Sequence, residues 1–244
     1  MKLSLTILIT VLALTSALYS EFEIDLESGF VFTGYNDIRI PGDEGTLFSL
    51  KDDLETDPAP FARARLNYHF NARHHLSLLY APLELEATGT LDKAIEYQDE
   101  TFAAGTRLKS IYKFNSYRFT YRYDFVRKEN LSFGMGFTAK IRDAIISLEN
   151  DDMKAEKKNV GFVPIVNFRL VWQMNDPLSV IFEGDALAAP QGRAEDVALS
   201  MNYNITEKAG LRLGYRLLEG GADNDEVYTF SLFHYAVIGV SYRF

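Results

Sequence analysis

Residues 117–125 read Tyr-Arg-Phe-Thr-Tyr-Arg-Tyr-Asp-Phe, so an aromatic residue occupies every second position and a polar or charged residue fills each position between. Successive side chains of a β-strand point to opposite faces, and the pattern therefore predicts a strand with one apolar and one polar face. Similar alternating segments begin at Phe22, Ala62, Leu131, Phe162, Leu178, Val197, Leu211 and Ala236. Together these segments predict an all-β chain.

Two stretches interrupt this regularity. In residues 75–86 the leucines change from one face to the other between Leu78 and Leu79, and we predict a β-bulge there. The alternation also slips near residues 115–116. A turn at that point would give an odd number of strands, so we predict one long strand across residues 105–125.

The connections between these segments are of two kinds, which alternate along the chain. The short ones are residues 71–74, 127–130, 175–177 and 206–208. The long polar ones are residues 35–59, 87–104, 149–159, 188–195 and 219–226. Bacterial outer-membrane barrels alternate short periplasmic turns with longer outer loops in the same way. The pattern predicts a transmembrane antiparallel up-and-down β-barrel of about ten strands, with eight or twelve as alternatives and both termini in the periplasm.

The first twenty residues have the layout of a secretory signal peptide. Lys2 precedes an apolar run from Leu3 to Leu14, and small residues follow as far as Ala17. The run is shorter than the ~20 residues of a spanning helix, although a membrane anchor is the alternative interpretation. We predict cleavage after Ala17 or Ser20, which leaves one barrel domain at residues 21–244.

Composition narrows the class of protein further. The chain has 244 residues, no cysteine and a formal net charge of −9, which argues against disulfides, thiolate sites and nucleic-acid binding. The mean hydropathy is only −0.10 and aromatics make up 14% of the residues, a combination that favours a barrel over a helical membrane protein. A soluble periplasmic barrel that binds an apolar ligand is the alternative, and it would carry its apolar face inside.

The chain ends in Val240-Ser241-Tyr242-Arg243-Phe244. The alternating Val240, Tyr242 and terminal Phe244 resemble the C-terminal assembly signal of Gram-negative outer-membrane proteins. That resemblance implies residence in the bacterial outer membrane, contact with its lipid, and recognition by periplasmic chaperones and the barrel-assembly machinery. Residues 218–226 with residues 233–235 also resemble a stretch of uncharacterised outer-membrane barrel proteins, a likeness that implies a fold and no activity.

The polar face of the predicted strands carries charges of both signs. A ten-stranded barrel has a narrow lumen, and buried charges are costly unless they are paired, so we expect a charge network inside the barrel. The expected network comprises Glu23, Asp25, Glu27, Arg63, Arg65, Arg118, Arg122, Lys140, Arg142, Arg169, Glu183, Asp185, Arg212, Arg216 and Arg243. Such a network could plug the barrel or line a small selective porin-like pore.

Catalytic patterns are weak in this sequence. The four histidines are His69, His74, His75 and His234, of which three fall at the first predicted short turn. Omptin-like proteases, which are also ten-stranded, need acidic and histidine side chains at the outer rim. A lipid hydrolase needs a Ser–His pair on the lipid face, and Ala236 stands two residues after His234 where a serine would be required.

Candidate metal ligands are equally unconvincing. Residues 223–226 are acidic but lack the spacing of a Ca²⁺-binding loop, and adjacent histidines on a strand point to opposite faces. We expect no cofactor and no metal. We expect a non-enzymatic envelope protein with a structural role, a surface-interaction role or a narrow pore. The alternative is an enzyme that hydrolyses lipid or peptide at the outer leaflet.

Overall fold

The computed structural model describes residues 21–190 and 192–244, so the predicted signal peptide lies outside the described residues. The described chain is built from β-strands joined by turns and loops. Their bounds are β1 Glu21–Arg39, β2 Phe48–Ser49, β3 Glu55–Thr56, β4 Ala59–His69, β5 His74–Ala81, β6 Glu84–Thr90, β7 Ile95–Tyr97, β8 Glu100–Phe102, β9 Arg107–Arg127, β10 Leu131–Glu149, β11 Lys154–Gln173, β12 Leu178–Ala189, β13 Gly192–Asn204, β14 Ala209–Asp223 and β15 Tyr228–Arg243. Within these residues, no helix is long and apolar enough to cross a membrane.

The long strands close into a barrel. β10 to β15 pair in sequence order, β15 pairs with β1, β1 with β4, β4 with β5, and β9 closes the ring by pairing with β10. β5 and β6 pair with β9 in one continuous register, from His74 opposite Tyr123 to Thr90 opposite Arg107. They therefore form a single wall segment, and the ring has ten antiparallel strands. The predicted ten-stranded barrel is confirmed.

The two ends of the barrel differ in their connections. The turn end carries residues 70–73, 128–130, 174–177 and 205–208. The loop end carries two long connections, residues 40–58 and residues 91–106. The other three connections at the loop end are shorter than the sequence suggested, because β10, β11, β12, β13 and β14 continue into segments that we predicted as loops. Where strands protrude beyond the membrane, both of their faces can be polar. These strand ends therefore have the amino-acid composition of a loop.

The apolar face of the wall points outward. Phe137, Phe162 and Leu213 are among the most exposed large apolar side chains, at 74%, 67% and 69% exposure. Aromatic pairs lie at both borders of this surface: Tyr242 beside Phe244 toward the turn end, and Tyr80 stacked on Tyr117 toward the loop end. A soluble barrel would carry its apolar face inside, whereas an apolar outer band between aromatic girdles is the surface of a membrane barrel.

The predicted bulge near Leu78–Leu79 is wrong. β5 keeps its register with both neighbours, and Leu79 and Ala81 point inward as His75 does. The leucines do not change face; the barrel interior changes from polar to apolar at that level. The same change explains the apparent slip near residues 115–116, where β9 runs unbroken as predicted. Register shifts do occur elsewhere, between Thr33 and Tyr35 of β1.

Candidate functional site in the barrel interior

The middle of the barrel holds a network of buried ion pairs, which we call the central network. It contains six arginines and five carboxylates: Arg63, Arg65, Arg118, Arg169, Arg212, Arg216, Asp25, Glu27, Glu183, Asp185 and Asp196. Each side chain comes from an inward position of a strand, and the strands β1, β4, β9, β11, β12, β13 and β14 contribute. Strand alternation brings all these charges to one face, and closure of the barrel then brings opposite charges within reach.

Asp196 is the most heavily used acid of this network. Its Oδ1 accepts from Arg216 at 2.6 Å, and its Oδ2 lies 3.0 Å from Arg63 and 2.7 Å from Arg118. The residue is only 2% exposed. Three guanidinium groups around one carboxylate offset its desolvation, and the shared acid in turn reduces the repulsion among the three arginines.

Glu27 is the second centre of the central network. Arg216 donates to its carboxylate at 2.9 Å, Arg212 at 3.0 Å, and Arg63 lies 3.4 Å away. Arg212 also reaches Asp25 at 2.8 Å. Glu27 and Asp196 are thus linked through shared arginines, so the acids of β1 and β13 are joined across the barrel.

Glu183 and Asp185 of β12 complete the network. Glu183 lies 3.3 Å from Arg65 and 3.0 Å from Arg169. Arg118 donates to Asp185 at 2.7 Å, and Thr138 and Asn167 donate to its other oxygen at 2.7 and 2.9 Å. The carboxylates therefore use several of their acceptor positions, as buried charges require.

The remaining predicted residues lie outside the central network. Arg122 pairs with Asp124 at 3.2 Å near the turn end, and Arg243 reaches Glu23 at 3.3 Å in the same region. Asp124, Glu23 and Arg243 of these pairs line a polar vestibule of about 520 Å³ at the turn end.

Lys140 and Arg142 of β10 lie on the loop-end side of the network. In the part of the chain that the structure describes, neither takes part in an ion pair. The Nζ atom of Lys140 lies 4.7 Å from the centre of the Phe114 ring, and Arg142 donates to the side chain of Asn159. Sequence alternation thus placed both side chains inside the barrel but did not show that they lack carboxylate partners.

Sequence reasoning missed Asp196, although a signal was present. Asp196 lies on the same face of β13 as Ser200 and Asn202 by the period of two. The acid was overlooked because it stands where the predicted loop ends and the strand begins. His75 was also missed; its Nε2 donates to the Asp124 carboxylate at 2.9 Å on the inner face.

Toward the loop end the interior becomes apolar, and we call this part the loop-end core. The wall contributes Val31, Phe61, Leu83, Leu85, Leu108, Tyr112, Leu148, Leu218, Phe233 and Tyr235. The two long loops contribute Phe48, Leu50, Leu54, Leu91, Ile95, Tyr97 and Phe102. The loops therefore fold into the mouth of the barrel and close it with a packed apolar cluster.

The two long loops are held to each other and to the wall by hydrogen bonds. Thr46 N donates to Glu96 O, and Gln98 N donates to Ile40 O, both at 2.9 Å. The hydroxyl of Tyr97 donates to the carbonyl of Ile146 on β10 at 2.7 Å. Burial raises the pKa of Tyr97 above its ordinary value, which further favours the protonated hydroxyl that donates this hydrogen bond.

Three of the four histidines lie at the turn end, far from the loop-end rim. His69 and His75 face the vestibule at the turn end, where their Nδ1 atoms are 2.6 Å apart, and His74 packs on Tyr123. His234 stacks on Tyr215 on the outer face of the wall. Among residues 21–190 and 192–244, no group of three or more histidine and acidic side chains is placed to hold a metal ion.

Comparison with known proteins identifies the fold. No protein-family model and no curated protein matches the sequence. Among solved structures, the outer membrane protease OmpT from Escherichia coli matches with a TM-score of 0.57 and 10% identity, over 92% of this chain and 97% of that chain. The translocator domain of autotransporter NalP from Neisseria meningitidis gives a TM-score of 0.45 at 10% identity, covering 92% and 88%. An outer membrane channel from Pseudomonas putida F1 gives 0.44 at 10% identity, covering 92% and 96%.

At 10% identity the match to OmpT concerns the fold alone. The chain has the fold of the transmembrane β-barrels of bacterial outer membranes. Its closed ring of ten antiparallel strands and its apolar outer band define it as a barrel membrane protein.

Proposed function

We propose that the protein is an integral outer-membrane barrel without an open channel, and that it acts through its closed, rigid loop end at the cell surface. A cleaved signal peptide would direct it to the envelope, and the barrel-assembly machinery would insert it with the turn end in the periplasm. The observation that carries the proposal is that two successive layers fill the lumen: the central network and the loop-end core.

The central network leaves little room for a conducting path. The space among Arg118, Glu183 and Asp196 amounts to about 20 Å³, and the space near Arg63 and Phe114 to about 10 Å³. One buried water needs roughly 10–15 Å³ of such space. These gaps therefore hold about one water each and do not join into a file of solvent across the barrel.

The loop-end core is the second barrier. Phe48, Ile95, Tyr97 and Phe102 come from the loops and are at most 2% exposed. Hydrated ions do not cross a packed apolar cluster, because removal of their hydration shell is costly. A pore would require both layers to rearrange.

The outer surface of the two long loops is acidic, and this charge indicates the kind of partner that the loop end would bind. Residues 40–58 contain six acidic residues and one lysine, and residues 91–106 contain four acidic residues and one lysine. The acids point to solvent, as Asp43, Asp52 and Asp92 do, while the apolar residues between them are buried. We infer that this surface favours a cationic partner, because complementary charge steers association.

Planar-bilayer recording of the refolded, detergent-purified protein tests the proposal. Heat-modifiable migration on a gel first shows that the barrel is folded, and incorporation into the bilayer is verified by a co-inserted fluorescent label. A folded, inserted barrel that produces no current steps is the expected result. Discrete, reproducible steps with ion selectivity would overturn it and would make the protein a pore.

The surface role has its own test. Binding of the folded protein to immobilised poly-lysine should weaken when Asp43, Glu44 and Asp52 are changed together to Asn, Gln and Asn. The matched control changes three acids that are exposed at the turn end, Glu129, Asp176 and Glu207, to Gln, Asn and Gln. Equal loss of binding in both variants would show that charge at the loop end has no special part in the interaction.

A further inference from the structure

The wall of the barrel separates locally between β11 and β12. The two strands pair only from Val166 to Gln173 of β11. Residues 154–165 pair with β10 alone, and residues 187–189 pair with β13 alone. The strands therefore diverge toward the loop end, and we call the space between them the side cleft.

A cavity of about 370 Å³ lies behind the side cleft. Phe162 on one edge and Leu187 on the other edge line it, and Phe114 and Phe233 form its inner apolar wall. Phe162 is an outward residue with 67% exposure, so the cavity reaches the outer surface of the wall. Its size lies within the range of small-molecule sites.

The side cleft lies at the height of the loop-end aromatic girdle. Phe162 is opposite Ile141, and Ile141 is opposite Tyr117, the residue that stacks on Tyr80. Aromatic girdles mark the border between the hydrocarbon core and the lipid headgroups. An amphiphile in the adjacent bilayer would thus have its polar head at the height of the side cleft and its chain in the hydrocarbon core.

The polar part of the cavity has a surplus of positive charge. Lys140 lines the cavity, is only 3% exposed and takes part in no ion pair among the described residues. Arg142 lines the same cavity, and the nearby Arg193 is already paired with Glu219 at 2.6 Å. A buried cation without an acid partner is costly, and an anionic ligand would offset that cost.

We propose that the side cleft binds the anionic head of a single-chain amphiphile, with the head at Lys140 and Arg142 and the chain along Phe162 and Leu187. The shared chemistry is a carboxylate or phosphate on one alkyl chain. Two kinds of molecule carry such a group: a free fatty acid, which has the carboxylate, and a lysophospholipid or similar lipid, which has the phosphate. This site is independent of whether the barrel conducts and of the acidic loop surface.

Equilibrium binding of radiolabelled dodecanoate to the full refolded barrel in a non-ionic detergent tests the proposal, with protein-free micelles subtracted. One saturable site per barrel is expected, and Lys140→Met should raise its Kd at least tenfold. The control Lys109→Met, on the neighbouring strand and with a side chain that is 42% exposed and paired with Glu86, should leave the Kd unchanged. Dodecanol should bind more weakly than dodecanoate to the unmodified protein, and Lys140→Met should not weaken dodecanol binding further.

A second variant tests the cavity without removing charge. Ala189 lines the cavity and is exposed, so Ala189→Trp can occupy the cleft with little effect on the wall. It should weaken dodecanoate and dodecanol alike. Tighter binding of dodecyl phosphate than of dodecanoate would identify a phosphorylated lipid as the source, and the reverse order would identify a fatty acid. No saturable binding, or unchanged binding in both the Lys140 and the Ala189 variants, would overturn the proposal.

Discussion

Asp196 shows at the scale of a single residue how the barrel tolerates charge in its interior. Three arginines share this one acid, and each of them also contacts a second carboxylate. Removal of one partner from a buried group of ion pairs leaves uncompensated charge, whereas the intact group is satisfied. The network is therefore sensitive to single substitutions.

The substitution Asp196→Asn measures this dependence. It keeps the shape of the side chain and removes the charge, so three arginines would face one another across a neutral amide. We expect the free energy of unfolding to fall by about 3–5 kcal/mol. Urea unfolding of the refolded barrel in lipid vesicles gives the value. Asp225→Asn, in an exposed turn, is the control, and equal stability of the two variants would contradict the role of Asp196.

The orientation of each strand can be tested with neighbouring residues of β15. Val240 faces outward with 48% exposure, and Ser241 lines the vestibule. An arginine on the lipid face costs up to about 2–4 kcal/mol at the membrane centre and less near its borders. Val240→Arg should therefore impair insertion into vesicles much more than Ser241→Arg. Similar folded fractions for both variants on a heat-modifiability gel would refute the assigned faces.

At the scale of elements, the first long loop is part of the barrel core and not a free surface segment. Phe48 of β2 is 2% exposed and contacts Tyr97 of β7 edge-on, with ring centres 6.2 Å apart. Loss of a buried phenylalanine typically costs about 3–5 kcal/mol. Because Phe48 belongs to a loop, we expect its loss to destabilise the docked position of that loop and not the membrane-spanning strands.

The docking of the first long loop can be tested by substitutions at two adjacent residues, Phe48 and Leu47. Phe48→Ala should release the loop and increase the rate of tryptic cleavage after Lys51 in the folded barrel, because a protease needs a locally open chain. Leu47→Ala, which removes a side chain that is 47% exposed, should leave the rate near that of the unmodified protein. Mass spectrometry of the fragments gives both rates. Equal rates would mean that the loop does not depend on the loop-end core.

β5, β6 and β9 show why element boundaries were only partly predictable. Their alternation is regular throughout, but the inward side chains pass from His75 and Ser77 to Leu83 and Leu85. A sequence pattern records whether a side chain is apolar, and it does not record which side of the wall is apolar. Where the inward side chains change from polar to apolar, the sequence pattern is therefore the same as that of a bulge or a shifted register.

At the scale of the whole molecule, closure joins the two ends of the described chain. β15 pairs with β1 over nearly their full lengths, and Phe244 N donates to Phe22 O at 2.9 Å. Val240, Tyr242 and Phe244 face outward together, so the proposed assembly signal lies on the lipid side of the C-terminal strand.

Deletion of Phe244 distinguishes an assembly signal from a stabilising contact. The amount of folded barrel in the outer membrane of expressing cells should fall several-fold, because recognition by the assembly machinery would be lost. Refolding of the same variant into detergent should reach the yield of the full-length chain. A loss of equal size in cells and in detergent would assign Phe244 to stability, and normal assembly in cells would remove it from the signal.

The sequence by itself determined the strand period, the approximate strand number and which charged residues face inward. These are local properties, since a period of two is read from neighbouring positions and needs no knowledge of distant ones. Ten of the eleven residues of the central network were predicted in this way, and Asp196 could have been included by the same alternation.

Only the tertiary structure decided which charges meet, where the interior turns apolar and where the wall opens. Partners such as Arg216 and Glu27 are 189 positions apart, and only closure of the sheet brings them together. The loops fold into the barrel mouth because the wall offers apolar surface there. Among the described residues Lys140 has no ion-pair partner, since the nearby acids Asp185 and Asp196 are already paired with arginines. Each of these outcomes depends on the register among several strands, which no single segment encodes.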